Sequence, residues 1–189
     1  MHGRFNEDLK TERFSSELDP IEFHPLVKRA RNGDSLAFHR LALAFDSAVL
    51  QTALRITGSA HIAGEIYRRT FLRAYRNLPL FHFECSFSAW IFRHLAQLCI
   101  EHLSQESLQV NSGGDRCLAG ILMHLKPRER IIAELKFGHG FPLSLLSEIL
   151  EIPREVARLS FLRAKGKMQT ARCAELSYIA EQPFSEEVT

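Results

Sequence analysis

The run PREVARLSFLRAKGKM carries five cations, Arg154, Arg158, Arg163, Lys165 and Lys167, and one acid, Glu155. Cations at helical spacing can meet phosphate oxygens, and an arginine can grip O6 and N7 of a guanine. Ala157, Phe161, Ala164 and Met168 recur at i, i+4, i+7 and i+11, so one face of this helix packs inward. Arg154, Arg158 and Lys165 then form an outward stripe, with Arg163 and Lys167 flanking it. The preceding run supplies a second apolar face, Leu143, Leu146, Ile149 and Leu150, hinged at Glu151-Ile152-Pro153. Helix-turn-helix DNA readers are built this way: one helix braces and the next enters the major groove. An amphipathic hairpin with a solvated basic face shows the same pattern. The rest of the chain has to decide.

Other chemistry is poorly represented. The sequence has no P-loop, Gly-rich dinucleotide turn, HExxH or nucleophile elbow, so no enzyme is expected. Cys85, Cys99, Cys117 and Cys173 lie far apart without a CxxC or a close Cys/His pairing, which argues for reduced thiols and against a structural metal. The nine histidines are scattered; His94 and His102 share one helix but read as packing or surface residues. No cofactor is expected.

At 189 residues and 46% apolar, the chain can form one large domain or two small ones, and wholesale disorder is excluded. It has no apolar run of membrane-span length, and MHGRFNEDLK is charged from its first residues, so a soluble, cytoplasmic protein is expected. The net charge of +2 hides a pattern. Residues 25–103 hold ten Lys/Arg against five Asp/Glu, and residues 117–172 repeat that balance. The 1–24 tail, the 104–116 linker and the 173–189 tail are all net acidic. Two basic bodies with acidic connections suit a polyanion-binding protein.

Glycine and proline divide the chain into helices. RNGDS (31–35) is a turn in which Asp34 caps a helix to about Thr57, with Phe38, Leu41, Phe45, Val49 and Ile56 inward. TGSA (57–60) breaks it, and the next helix, 62–78, turns Ile66, Phe71 and Leu78 inward and Arg69, Arg73 and Arg76 outward. NLPLFHFECSF (77–87) is a loop before SAWIFRHLAQLCIEHL, helical again. The polar SQESLQVNSGGDR (104–116) is a flexible linker and domain boundary. Short helices follow at 117–124, 127–137, 143–150 and 154–169. The expected fold is all-α, in two small helical domains.

In chain order, LVKRARNGDSLAFHRL, ALRITG, TFLRAYRNLPLF and FSAWIFRHLAQLCIEHL resemble region 2 of the extracytoplasmic-function (group IV) sigma factors of the sigma-70 family. LKPRERIIAELKFGHGF with SEILEIPREVARLSFLRAK resembles their region 4. The resemblance covers residues 25–103 and 117–170 and implies a transcription initiation factor. Such a factor docks on bacterial RNA polymerase core; region 2 opens the minus-ten element and region 4 binds the minus-thirty-five element as duplex. By position, the resemblance implies core-polymerase contacts at Glu65, Arg69, Phe71, Arg73 and Arg76. It implies capture of unstacked bases by Phe81, Phe83, Trp90 and Arg93, and duplex contacts by Arg154, Arg158, Ser160, Arg163, Lys165 and Lys167. Core polymerase and promoter DNA are the implied partners, an anti-sigma protein is a further candidate, and no membrane is involved.

The departures from the family pattern are chemical. HIAGEIYRRTF puts His61, Ile62 and Gly64 where the family has acids, and Arg68-Arg69 where it has Gln-Glu. Charge on the docking face is therefore inverted, and like charges across an interface cost several kcal/mol. Ala96-Gln97 replaces an Arg-Asn pair, and Ser104-Gln105-Glu106 replaces basic residues that contact phosphate. Ser160 replaces a basic residue, Leu159 and Leu162 add apolar groups outside, and Glu151 stands in place of a turn glycine. These changes keep a second expectation in view: a sigma-like regulator or partner-binding adaptor that does not itself open promoters.

Overall fold

In the computed structural model, residues 20–106 and 125–180 are described, and the regular elements among them are all helical. The expectation of an all-α fold holds. Helix α1 (Pro20–Arg31) contains Pro25 and begins inside the stretch read as an acidic tail. Phe23, Val27 and Ala30, at i, i+4 and i+7, are buried, and that burial holds the helix despite the proline.

Gly33, at φ 92°, turns the chain into α2 (Ser35–Thr57). The Asp34 carboxylate accepts from the Ala37 N–H at 3.0 Å and from the Arg29 guanidinium at 2.7 Å. Those two bonds, the backbone one first, hold its carboxyl below the ordinary value. Leu41, Phe45, Val49 and Ile56 are buried as their spacing predicts, while half-buried Phe38 stacks on Tyr75 at 5.0 Å. Gly58 adopts the left-handed conformation that ends α2, and Ser59 caps α3 (Ala60–Asn77). A 3-10 turn (Leu78–Leu80) and a loop lead to α4 (Phe87–Glu106), whose Ala89 N–H donates to Ser86 Oγ at 3.1 Å. Helix α4 runs past the expected boundary at residue 103. The rest of the expected linker, 107–116, and the expected 117–124 helix lie outside the described residues.

The second half comprises α5 (Pro127–Gly138), α6 (Leu143–Leu150) and α7 (Arg154–Ala180). Helix α6 matches the sequence reading residue for residue, whereas α7 continues beyond residue 169 into the stretch read as an acidic tail. Ala157 and Ala164 are fully buried, with Phe161 and Met168 half-buried beside them, as the period predicts.

The two halves share one core. Ile131, Ile132, Leu135, Phe141, Leu146 and Ile149 join the same buried cluster as Leu41, Phe45 and Leu95. Phe92 on α4 meets the rings of His139 and Phe141, at 5.2 and 5.1 Å. Polar groups are paired across the boundary: Arg130 donates to the Ile56 carbonyl at 3.0 Å and Arg55 meets Glu134 at 3.1 Å. Thr52 Oγ1 gives its proton to the Ala48 carbonyl, so His139 Nε2 donates to Thr52. Two helical domains are expected from the sequence, with their packing against one another left open; here their buried clusters are continuous.

Candidate nucleic-acid interface

The turn between α6 and α7 fixes how the second helix is presented. Glu151 caps α6 at φ 52° and ψ 44°, a left-handed conformation in which a non-glycine residue is strained by about 1 kcal/mol. Pro153 accepts the Ala157 N–H through its carbonyl at 3.0 Å and starts α7. Arg154, Arg158, Arg163 and Lys165 are exposed and make no ion pair with a described residue. Lys167, expected beside them as a phosphate contact, instead meets Glu129 at 2.6 Å. Burial raises the Glu129 carboxyl, but bonds from Lys167 and the Lys126 N–H outweigh it and the net shift is downward. Ser160 is half-buried on the flank of α7.

The loop after α3 forms the mouth of a cavity of about 460 Å³, lined by Phe81, Phe83, Glu84 and Cys85 together with Phe23 and His24 of α1. Phe83 lies at φ 61°, a strained conformation at a candidate ligand site. Its ring is held 4.4 Å from that of His24, with the Arg31 guanidinium 5.5 Å above it. The four aromatic and cationic candidates divide here. Phe83 is half-exposed at the rim, and Phe81, though buried, lines the wall. Trp90 is 7% exposed and packs on Phe81 and Phe87 at 5.0 and 5.5 Å, so it braces the loop and presents no open face. Its edge meets His94, which burial and the nearby Arg73 and Arg93 push down to about 4. His24 and Arg31 were missed from sequence because α1 itself was missed.

Arg93 is not among the residues that line the loop cavity. Its guanidinium donates to the Glu148 carbonyl at 3.2 Å and meets the Glu151 carboxylate at 3.2 Å. On α3, Arg69 and Arg73 converge on Glu101 of α4 at 3.7 and 3.2 Å, and a groove beside them is completed by Leu72, Arg76 and Asn77. Glu65 is exposed next to His61 at 3.9 Å, and Phe71 is half-buried edge-on to Tyr67. Tyr67 donates to Asp46, and that bond, with burial, pushes its phenol up to about 12. Among the described residues no group of three or more His, Cys, Asp or Glu is placed to hold a metal, and no helix is long and apolar enough to cross a membrane.

A helical bundle packs against a helix-turn-helix unit, and known proteins share both the arrangement and part of the sequence. Residues 41–108 match the sigma-70 region 2 family. The chain is 29% identical over 80 residues to the ECF RNA polymerase sigma factor SigW of Bacillus subtilis, covering 42% of this chain and 43% of that protein. It is 23% identical over 161 residues to the ECF RNA polymerase sigma factor BldN of Streptomyces coelicolor, covering 85% of this chain and 60% of the relative. The matched part is thus less than two thirds of each relative's length. In fold it is similar to CnrH, solved with the cytosolic domain of CnrY, at a TM-score of 0.66 and 20% identity over 82% of this chain and 97% of that one. It is also similar to the sigma factor RpoE of Bartonella quintana, solved with the anti-sigma factor NepR, at 0.60 and 17% identity over 70% of this chain and 94% of that one. Over residues 41–108 the chain is thus similar to region 2 of the sigma-70 family, and the relatives it matches are extracytoplasmic-function sigma factors.

Proposed function

We propose that this protein is a cytoplasmic transcription initiation factor that docks on bacterial RNA polymerase core and binds promoter DNA at two places. The observation that carries the reading is the pairing, on one chain, of a sigma-70 region 2 with a helix-turn-helix whose second helix leaves Arg154, Arg158, Arg163 and Lys165 open to solvent. In this reading the α7 cations meet duplex phosphates, and the Phe83 cavity takes an unstacked base with Arg31 and His24 beside it. The face of α3 around Glu65, Arg69, Phe71, Arg73 and Arg76 meets the polymerase. Its inverted charge calls for acidic groups on the cognate surface.

A second reading is favoured by one observation, the capture of Arg93 by the helix-turn-helix unit. In the closed arrangement that cation is withheld from nucleic acid, as it would be in a sigma-like adaptor that binds a protein partner and does not open promoters. An anti-sigma protein is a candidate partner in either reading, by analogy with RpoE and NepR. Competition for core polymerase separates the two. The purified chain should form a complex with core at micromolar concentration and low salt, weakened by Phe71→Ala or Arg73→Ala without loss of helicity. Absence of a complex overturns the initiation reading and leaves the adaptor.

A further inference from the structure

The outermost line of α7 is not its arginines. Buried Ala157 and Ala164 fix the inward direction of the helix. At about 100° per residue, the positions facing directly away are Glu155, Leu159, Leu162 and Gly166. Leu159 and Leu162 are 47% and 50% exposed, large apolar groups held in water at the crest of a helix. Arg154, Arg158 and Lys165 run along one side of that crest, and Arg163 and Lys167 along the other. The cross-section is an apolar ridge between two cationic rails.

We propose that this ridge is the sequence-reading surface, and that it takes duplex DNA presenting thymine methyl groups next to a cytosine amino group. The proposal rests on the DNA-binding reading above and goes further, assigning specificity to Glu155, Leu159 and Leu162. A helix lying in the major groove points its outer line at the base edges and its sides at the two phosphate walls. Arg154, Arg158 and Lys165 on one side and Arg163 on the other match two walls of negative charge, with Lys167 joining them only on leaving Glu129. That complementarity selects DNA as the occupant over a protein helix, which would need acidic groups along both sides of its own apolar seam. At the groove floor a leucine has one apolar partner, the C5-methyl of thymine, and a carboxylate accepts from the N4 amino group of cytosine. Gly166, at the far end of the crest, has open space where a Cβ would lie, so the backbone can come close to the duplex there.

The test uses the full-length chain at low salt. A randomised duplex library is selected, and in the enriched sites each thymine is replaced in turn by deoxyuridine, which differs by the one methyl. Burying a methyl is worth about 0.8 kcal/mol, so each thymine touched by a leucine should bind about fourfold more tightly than its deoxyuridine counterpart. Leu159→Ala and Leu162→Ala should each erase that difference at one position and leave it at the other; both side chains are exposed, so the fold is retained. Glu155→Gln should relax preference at the neighbouring cytosine, whereas Arg158→Ala should weaken all sequences alike. Enriched sites indifferent to the methyl, or discrimination that survives both leucine variants, overturn the proposal and leave DNA binding standing. A library with no enrichment overturns both.

Discussion

Arg93 of α4 and Glu151 of the α6–α7 turn meet at 3.2 Å, joining two halves of the chain through a residue that holds a strained backbone conformation. Glu151 occupies a left-handed position where glycine would be unstrained, and its carboxylate forms an ion pair that glycine lacks. The pair is 58% exposed on the glutamate side, so it contributes at most about 1 kcal/mol. Glu151→Gly and Glu151→Ala both lose it, but only glycine relieves the strain. The glycine variant should therefore be more stable than the alanine variant by about 1 kcal/mol in denaturant unfolding. Equal stabilities would mean that the turn is not strained.

Glu134 is the most exposed to mutation of its partner. Its carboxylate is 7% accessible between α2 and α5, and burial raises its carboxyl despite Arg55 at 3.1 Å. Arg55→Ala leaves that group buried without its cation and should destabilise the protein by about 1–3 kcal/mol. Gly138 reports on the same pair, since a Cβ there would lie 2.5 Å from Glu134 Oε1 and 2.9 Å from Arg55 Nη1. Gly138→Ala should thus be damaging in the wild type and milder once Arg55 is alanine, a non-additivity measured by the double-mutant cycle. Strict additivity would show that the methyl acts elsewhere.

The helices that announce themselves by local chemistry were legible in the sequence. Asp34 and Gly58 bound α2, and Pro142 and Glu151 bound α6, because caps and breakers act over one turn. Helix α1 was not legible: Pro25 and an acidic surrounding composition read as a tail, and only burial of Phe23 and Val27 against the core overrides them. The shared core was hidden for a different reason. Arg55 and Glu134, or Arg93 and Glu151, are too far apart in sequence for any periodicity to connect them. For Trp90 the family resemblance implies base capture while its residue type equally suits a core position, and its neighbours Phe81 and Phe87 turn it inward.

Stability should fall as the solution is acidified from neutrality. Burial pushes both His94 and His139 down to about 4, with Arg73 and Arg93 adding to the effect on His94 and Arg55 to that on His139. An unfolded histidine takes up its proton near pH 6.5, so below that value the unfolded chain holds protons the folded one refuses. Each ring should therefore lose on the order of 3 kcal/mol of stability between about pH 6.5 and about pH 4, with no contribution to the slope above that window. Glu134, whose carboxyl is raised, opposes this trend by taking up its proton first in the folded state. Among the described residues neither ring nitrogen of His94 has a hydrogen-bond partner, so His94→Leu should remove part of the slope at little cost near neutrality. Unfolding midpoints across that range check it; an unchanged slope in His94→Leu would contradict the assignment.

The common core predicts that the halves stay together without a covalent connection. A protease site placed at Gly113-Gly114 and cut in the folded protein should yield two fragments that co-elute, held by Phe92 against His139 and Phe141 and by the Arg55–Glu134 pair. Arg55→Ala should shift that association towards separate fragments. If the cut wild-type fragments separate at micromolar concentration, the packing of α4 and α2 on α5 and α6 does not persist in solution.

Two helix-interior glycines test stability and recognition apart. Gly64 in α3 and Gly166 in α7 both have open space where a Cβ would lie, and neither has the positive φ that would penalise a side chain. Alanine at either position should raise stability by about 0.5–1 kcal/mol, because glycine in a helix interior carries the larger entropy loss on folding. The two differ in what they face. Gly166 lies on the line of Glu155, Leu159 and Leu162, where an added methyl would stand between the helix and a base edge, while Gly64 belongs to the other end of the chain. Gly166→Ala should therefore gain stability and lose duplex affinity, and Gly64→Ala should gain stability with affinity unchanged. Thermal unfolding and duplex binding measured on the same preparations decide it. A Gly166→Ala protein that binds duplex as well as the wild type would mean that this side of α7 does not approach the groove floor.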